Sequence, residues 1–288
     1  MAKQLNGGFI MKNLVEYSRR YGSDISLVAA GGGNTSMKEN GVLYVKGSGS
    51  ALATIKEENF VALDMNKLLE IPKRSYPDSD NEREAAFLSD IMAAKLPGEE
   101  TKRPSVETLL HALFPQKYVL HLHPSLVNGL TCSADGKSAA TRLFPDAVWV
   151  DECRPGYTLA IEVSKVLSEN INTVILQNHG VFFAANIPAD LDVLLKNMMN
   201  ILKEEVDKNY NAEYDAPPCL EKPFTPDHIV YCGVGPELPD TDNARLLWED
   251  AKKIAKYTAS FGGQRPMAPD MVEFIRTWEA ESYRQKQA

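Results

Sequence analysis

Stretches with strand and helix periodicity alternate along most of this chain, and this alternation limits its fold more than any other feature. Apolar, β-forming runs such as KYVLHLHP and AVWVDE alternate with stretches such as IPADLDVLLKNMMNILKEEVDKNY, whose apolar residues recur at helical spacing. Interleaved elements of the two kinds predict an α/β protein in which helices flank a mixed sheet.

Three local patterns refine this prediction. The segment LVAAGGGNTSM is expected to begin as a strand and to break at its glycines. The segment RPSVETLLHALFP is expected to form a short helix with Ser105 as its N-cap. The stretch TVILQNHGVFFAA predicts strand, turn and strand, with the turn at 178–180. Each pattern places polar residues where an apolar element begins or ends.

The residue composition and periodicity of the chain change in its C-terminal quarter. The stretch NAEYDAPPCLEKPFTPDH is proline-rich and irregular, and helical patterns return over residues 243–260 and 270–285. We therefore expect residues 1–212 to form the main domain. Residues 213–288 are expected to form a C-terminal extension, with a proline-rich arm and helices, that packs on the same domain.

The composition argues against several classes of function. A net charge of −8 disfavours nucleic-acid binding, because phosphate backbones attract basic surfaces. The chain has no apolar run of 18 residues, and its start lacks the apolar segment of a signal peptide, so no membrane partner is expected. The four cysteines show no C-x-x-C spacing, which fits reduced thiols in the cytoplasm.

Two histidines stand two residues apart in the strand KYVLHLHP. Side chains two apart on a strand face the same side, so His121 and His123 project together while Leu120 and Leu122 face the other layer. Neighbouring imidazoles are poor core material, because each needs a donor and an acceptor as partners. A divalent metal would satisfy them, since neutral imidazole is a common metal ligand. The alternative is a half-exposed strand with a polar face.

A third histidine follows another apolar strand. His179 lies in QNHG directly after TVIL, and strand ends in α/β sheets are common positions for functional sites. Three histidines with a fourth position open to water or substrate are typical of a catalytic zinc site. The alternative for His179 is a turn residue bonded to backbone, because Asn-His-Gly suits a turn with positive φ.

A carboxylate and two further histidines need separate interpretation. Glu107 lies in the expected first turn of its helix, where the helix dipole favours a negative charge by about 0.3–1 kcal/mol, and this alone would explain it. His111 lies four residues further on the same helical face, and we interpret it as structural. His228 in FTPDH could reach a site from the C-terminal tail, but exposure to solvent is the simpler expectation for a loop histidine.

Two glycine-rich segments, AAGGGNTSMK and VKGSGSAL, lack the spacing of a P-loop or of a dinucleotide-binding fingerprint. Each nevertheless supplies backbone N–H groups and hydroxyls of the kind that hold phosphate. The alternative is two tight turns that need positive φ. Alongside the histidines, the two segments together indicate a pocket for a phosphorylated ligand.

In their order along the chain, these segments resemble the class II aldolase/adducin family. The resemblance covers about residues 8–210 and is carried by GGGNTS, KGSG, PSVETLLHALFP, VLHLHP, RPGYTLA and QNHG. The glycine segments and the tail around TPDHIVYCG look most like the aldolase part of bifunctional rhamnulose-phosphate aldolase/short-chain dehydrogenase proteins. No dehydrogenase part is expected, because the chain contains no G-x-G-x-x-G and stops at residue 288.

The resemblance implies a single αβα sandwich with a central mixed, largely antiparallel sheet. It also implies a homotetramer with active sites at subunit interfaces. In this family the equivalents of three histidines here bind Zn²⁺, or another divalent metal: His121, His123 and His179. Glu107 matches the catalytic base. Phosphate contacts are implied for Asn34, Ser48, Gly49 and Ser105.

The implied function is reversible cleavage of a ketose 1-phosphate, such as rhamnulose or fuculose 1-phosphate, to dihydroxyacetone phosphate and an aldehyde. Two positions depart from fuculose-phosphate aldolase: Val106 replaces a serine, and Arg142 lies near the position of a tyrosine that helps protonation. Three alternatives stay open: a sugar-phosphate 4-epimerase, a dehydratase, or a metal-free binding module like adducin. The three histidines and Glu107 are all present, which argues against the last.

Overall fold

The structure is a computed structural model that describes residues 2–287, with side chains described for residues 11–283. Within the described residues, seven strands form one sheet. The strands are β1 (Asn34–Glu39), β2 (Val42–Lys46), β3 (Phe60–Asp64), β4 (Tyr118–Leu122), β5 (Val148–Val150), β6 (Thr173–Leu176) and β7 (Gly180–Ala185). Their order across the sheet is β3-β2-β1-β4-β7-β6-β5. Neighbours run antiparallel except β5 and β6, so the mixed, largely antiparallel sheet is confirmed.

Helices cover both faces of this sheet. In the described part of the chain they are α1 (Ala2–Gly22), α2 (Met65–Glu70), α3 (Asp80–Ala93), α4 (Thr108–Leu113), α5 (Ser125–Thr131), α6 (Gly136–Leu143), α7 (Tyr157–Val166), α8 (Pro188–Asn209), α9 (Asp242–Thr258), α10 (Pro269–Thr277) and α11 (Glu279–Gln287). Helices α1, α5, α6 and α8 bury side chains against one face, and α2, α3, α4 and α7 against the other. The αβα sandwich is therefore confirmed. None of the helices described has the length and apolar character needed to cross a membrane.

The central strand β4 positions the first histidine. Leu120 and Leu122 are fully buried in the core beneath α1 and α8, whereas Val119 is buried in the core on the α4 side. His121 shares the face of Val119 and stacks on Phe182 of β7, with ring centroids 4.0 Å apart. The prediction that the two leucines face away from the histidine is confirmed, because a strand alternates its side chains.

The prediction of a strand before the glycines is wrong. Residues 27–33 lie outside the sheet, and β1 begins only at Asn34, which pairs with His121 of β4. The chain turns just before this point: Gly32 N bonds to Ala29 O at 3.1 Å, and Gly33 has a φ of 62°. A left-handed residue interrupts a strand, so the sheet cannot extend back through this segment.

The helix expected to be capped by Ser105 begins later, at Thr108. Ser105 forms a turn instead. Its carbonyl accepts from Thr108 N at 3.1 Å, and its hydroxyl oxygen accepts from Glu107 N at 3.3 Å. Side-chain bonds of this kind compete with helix formation. Glu107 therefore stands immediately before α4 and not within its first turn.

The C-terminal extension lies against the main body of the chain. Helix α9 packs on α5 so closely that a Cβ at Gly129 would lie 2.3 Å from the Cβ of Tyr257. The turn between β6 and β7 is tied to the extension as well. There Asn178, with the positive φ of 55° that the sequence suggested, donates from Nδ2 to the carbonyls of Phe224 at 3.0 Å and Arg265 at 2.8 Å.

Candidate metal centre and substrate pocket

Three imidazoles converge where β4 ends and the β6–β7 turn begins. His121 lies on β4, His123 follows its last residue, and His179 lies in the turn. One ring nitrogen from each residue can be chosen so that all three lie within 4.8 Å of one another. The Nε2 atoms of His121 and His123 are 2.8 Å apart. The structure thus brings together the three residues for which a metal-binding role was expected.

The outer ring nitrogens of two of these histidines are engaged by hydrogen-bond acceptors. Nδ1 of His121 lies 3.0 Å from the carbonyl oxygen of Val181, and Nδ1 of His123 lies 2.5 Å from Oδ2 of Asp227. A carbonyl or a carboxylate accepts, so each Nδ1 carries the hydrogen. The two Nε2 atoms consequently present lone pairs to each other.

This donor set fits a divalent metal. Two lone pairs that face each other at 2.8 Å repel unless a proton or a metal ion is shared between the two nitrogens. Burial lowers the pKa of His121, and it lowers the pKa of His179 to about 3, so both rings stay neutral at pH 7. Neutral imidazole is the form that binds zinc and related metals. The three histidines could therefore hold one ion and leave a coordination position open.

Glu107 lies beside the three imidazoles and is 6% exposed. Its Oε1 is 3.2 Å from Nε2 of His121 and 3.3 Å from Nε2 of His179. Its Oε2 accepts a hydrogen bond of 2.6 Å from Nδ2 of Asn34. One carboxylate oxygen is therefore fixed by the protein, and the other is directed at the imidazole group.

Two opposing influences act on the charge of Glu107. Burial is the largest and raises its pKa, but His121, His179 and His123 together outweigh burial and hold the pKa well below its usual value. That lowering needs positive charge at the imidazole group, and a bound divalent metal would supply it, because burial keeps the rings of His121 and His179 themselves neutral. The state that we adopt at pH 7 is an ionised Glu107 among neutral rings, which is the form in which a carboxylate can take up a proton.

A buried polar network supports Glu107 from behind. Nδ2 of Asn34 also contacts Oγ of Ser105 at 3.2 Å, and Oδ1 of Asn34 bonds to Nε2 of His111. Nδ1 of His111 lies 2.7 Å from Oγ of Ser36. The ring of His111 is fully buried, and burial holds its pKa well below the usual value. Asn34, which the resemblance assigned to phosphate, thus contacts the carboxylate directly, whereas Ser105 contacts Asn34 and the backbone N–H of Glu107.

The two glycine segments line the pocket that opens onto Glu107. Gly31 and Gly33 come from the first segment, and Ser48 and Gly49 from the second. Lys46 lines the same pocket although it is only 4% exposed, and its Nζ donates to the carbonyl of Gly31 at 3.0 Å. A buried ammonium group among glycines suits an anionic ligand. All eight residues proposed from the sequence therefore line this pocket or, like His121, contact Glu107 beneath it.

Three residues of the site were missed at the sequence level. Lys46 was noted only as part of a glycine segment. Asp227 bonds to His123, and Glu281, 5% exposed, lines the pocket from α11. The expectation that His228 is exposed is wrong: it is 4% exposed, and its Nε2 lies 3.4 Å from Oδ2 of Asp250. Asp227, His228 and Glu281 all belong to the extension, so no local spacing connects them with the strand that carries His121.

Comparison with known proteins identifies the family. The profile of the class II aldolase and adducin N-terminal domain matches residues 12–200. The chain belongs to the class II aldolase/adducin family. The matched region contains the whole sheet, Glu107 and the three histidines, and it ends before the C-terminal extension.

The chain is also similar to individual proteins. The chain is 36% identical over 192 residues to the uncharacterized oxidoreductase YuxG of Bacillus subtilis (strain 168). That match covers 62% of this chain and 27% of YuxG, so the chain spans roughly a quarter of that relative's length. The N-terminal class II aldolase domain of a conserved protein from Thermoplasma acidophilum is 30% identical, with a TM-score of 0.59, covering 66% of this chain and 91% of that one. An L-fuculose 1-phosphate aldolase is 16% identical, with a TM-score of 0.49, covering 84% of this chain and 95% of that one.

Proposed function

We propose that this protein is a zinc-dependent aldolase. Its reaction would be reversible cleavage of a ketose 1-phosphate, of the rhamnulose or fuculose 1-phosphate kind, to dihydroxyacetone phosphate and an aldehyde. The observation that carries the proposal is the position of Glu107, whose Oε1 lies 3.2 and 3.3 Å from Nε2 of His121 and His179. A base and a metal-binding group thus face one pocket that also contains a buried lysine.

In this proposal His121, His123 and His179 hold the ion. Three neutral imidazoles with an open position favour zinc, although manganese, iron or cobalt can fill such a site. When bound, the ion supplies Lewis-acid polarisation of the ketose carbonyl.

Glu107 serves as the base that moves the proton. In the condensation direction its Oε1 takes a proton from the carbon next to the carbonyl of dihydroxyacetone phosphate, and in cleavage it returns that proton. Asn34 occupies Oε2, so the proton is directed to Oε1, the oxygen that faces the imidazole group. The network of Asn34, Ser105 and His111 fixes this orientation before substrate binds, which lowers the cost of reaching the reactive geometry.

Lys46, Ser48, Gly49 and Ser105 are proposed to hold the phosphate. Their binding energy is remote from the bond that breaks, so it serves to fix the reacting carbon against Glu107. Asn34, by contrast, acts mainly through Glu107 in this proposal, because both of its side-chain polar atoms are already engaged.

The proposal is tested by metal analysis of the purified protein, together with an assay for dihydroxyacetone phosphate release from a panel of ketose 1-phosphates. About one zinc per chain with release from at least one sugar is the expected result. Metal without release, but with epimerised or dehydrated product, would replace the aldolase by one of those activities. A protein that takes up no metal even when zinc is supplied would favour an adducin-like binding role.

Lys46→Met is expected to raise KM for the ketose 1-phosphate roughly 10- to 100-fold, with a smaller change in kcat, since a hydrogen bond to a charged group contributes about 1.5–3 kcal/mol. KM for the unphosphorylated ketose should not change. Steady-state kinetics on both sugars measure these KM values.

Lys38→Met is the matched control. Lys38 is a largely buried lysine whose Nζ donates to the Gln116 carbonyl at 2.9 Å instead of lining the pocket. Equal effects on the two sugars would move the phosphate site elsewhere.

We also propose a cytoplasmic homotetramer with active sites at subunit interfaces. Large apolar side chains on and beside α8 support an interface there, because Ile187, Val193 and Ile201 are 58%, 54% and 38% exposed. Light scattering should give about four times the chain mass of 31.9 kDa. A monomer that is fully active at micromolar concentration would contradict this arrangement.

A further inference from the structure

We propose that Asp227 is a positioning residue for the metal centre. Its carboxylate would hold the Nδ1–H of His123, so that Nε2 of that ring is aimed at the other two imidazoles. The C-terminal extension would thereby form part of the metal centre. The inference rests on the proposed function only in taking the three histidines as metal ligands.

The contact itself is short and buried. Oδ2 of Asp227 lies 2.5 Å from Nδ1 of His123, and the two residues are 3% and 8% exposed. A charge-assisted bond of this kind is stronger than a neutral one, and it is weakened little by solvent when it is buried. A carboxylate on the outer nitrogen of a ligating histidine fixes the tautomer and the ring orientation, and it makes the inner nitrogen a better ligand.

His123 needs an anchor that His121 does not. His121 lies within β4, and its Nδ1 is held by the Val181 carbonyl on the neighbouring strand β7. His123 follows the last residue of β4, so no strand neighbour is in register beside it. Asp227, which is 104 residues away in sequence, supplies the missing acceptor from the extension.

The first glycine segment is shaped to admit this pair. A Cβ at Gly32 would lie 2.5 Å from Oδ2 of Asp227 and 3.0 Å from Nδ1 of His123. A Cβ at Gly31 would lie 2.5 Å from the hydroxyl of Tyr231, which accepts a hydrogen bond from Gly31 N at 3.1 Å. Part of the glycine triplet is therefore required by the extension and not by a phosphate.

The segment that carries Asp227 is also fixed to a second ligand. The carbonyl of Phe224, three residues earlier, accepts from Nδ2 of Asn178 at 3.0 Å, and Asn178 directly precedes His179. One stretch of the extension thus contacts the residue before one ligand and the ring of another. Its displacement would alter the relative position of two of the three imidazoles.

The test measures zinc affinity by competition with a chromophoric chelator in Asp227→Asn, Asp227→Ala and Gly32→Ala. Loss of a carboxylate behind a ligating histidine typically weakens metal affinity about 10- to 100-fold. We expect this loss in Asp227→Ala, a smaller loss in Asp227→Asn, whose amide oxygen can still accept, and a loss in Gly32→Ala, where the carboxylate is kept but displaced. Asp250→Asn is the control, because it removes another carboxylate of the extension, 12% exposed, which contacts His228 and Ser125 and none of the three imidazole rings.

A second readout needs no metal. The chain has five histidines, so selective ¹⁵N labelling gives a ring spectrum that can be assigned by substitution. His123 should appear as the Nδ1–H form in the wild type, and it should lose that form in Asp227→Ala. If the variants do not fold, the wild-type spectrum still decides, since an Nε2–H form of His123 would overturn the inference.

The failure of the inference can be distinguished from the failure of the proposed function. A wild-type protein that binds no zinc would contradict the proposed metal centre, whichever tautomer His123 adopts. A wild type that binds zinc, with folded Asp227→Ala and Gly32→Ala proteins within threefold of its affinity, would leave the metal centre intact and remove Asp227 from it. A loss of affinity in Asp250→Asn as large as that in Asp227→Ala would also overturn the inference, because the effect would then come from the extension as a whole.

Discussion

Replacement of His179 by alanine is expected to abolish stoichiometric metal binding and to lower kcat/KM for the ketose 1-phosphate at least about 10³-fold. The latter corresponds to about 4 kcal/mol of transition-state stabilisation, a size expected when metal polarisation of a carbonyl is lost. His179 is the informative ligand to remove, since its side chain is 13% exposed and lies in a turn. His121, in contrast, stacks on Phe182 in the core, so its removal would also cost packing.

Metal content by plasma mass spectrometry and initial rates on the same preparation measure this effect. His228→Ala is the matched control, because it removes another buried histidine, one that faces Asp250. It should keep about one metal per chain when zinc is supplied. A His179→Ala protein that also keeps one metal per chain, with activity within tenfold of the wild type, would exclude His179 as a ligand.

The histidine face of the site could be predicted because it depends on local geometry alone. The two-residue period of a strand places His121 opposite Leu120 and Leu122, whatever the rest of the chain does. The same holds for the turn at Asn178, where a short polar side chain tolerates positive φ. The class of fold followed from the alternation of periods, and the strand that carries His121 was predicted correctly, although it ends at Leu122, one residue before His123.

What could not be predicted depends on contacts between distant parts of the chain. The glycines at 31–33 suggested a phosphate loop, yet two of them leave room for Asp227 and Tyr231 of the extension. Nothing in the spacing of residues 213–288 marks Asp227 as a partner of His123. The start of α4 was misplaced for a similar reason, because Ser105 is held in a turn and contacts Asn34 of β1. Short helices such as α5 and α7 also escaped prediction, since a helix of seven or ten residues offers little periodicity.

Glu107→Gln is expected to keep the metal but to lower kcat, and the exchange of the carbon-bound proton of dihydroxyacetone phosphate, about 10²- to 10⁴-fold, the usual contribution of a positioned base. The amide can keep its oxygen toward Nδ2 of Asn34, so the supporting network stays formed. The nitrogen then replaces Oε1 at the position that faces His121 and His179, and an amide nitrogen cannot take up a proton there. Exchange in deuterated water, followed by proton NMR without the aldehyde, isolates this step from cleavage.

Glu84→Gln controls for the loss of a buried carboxyl group. Glu84 is 3% exposed and accepts from Tyr157 N at 3.3 and 3.2 Å, away from the imidazoles. Burial raises its pKa to about 7, so an uncharged amide is a small change at that position. Exchange in Glu84→Gln should remain within about threefold of wild type, because no proton transfer depends on it.

If Glu107→Gln exchanged as fast as this control while still holding one metal per chain, the base would have to be another group. The orientation of Oε1 toward the imidazoles would then indicate that Glu107 is a fourth metal ligand and not a proton carrier.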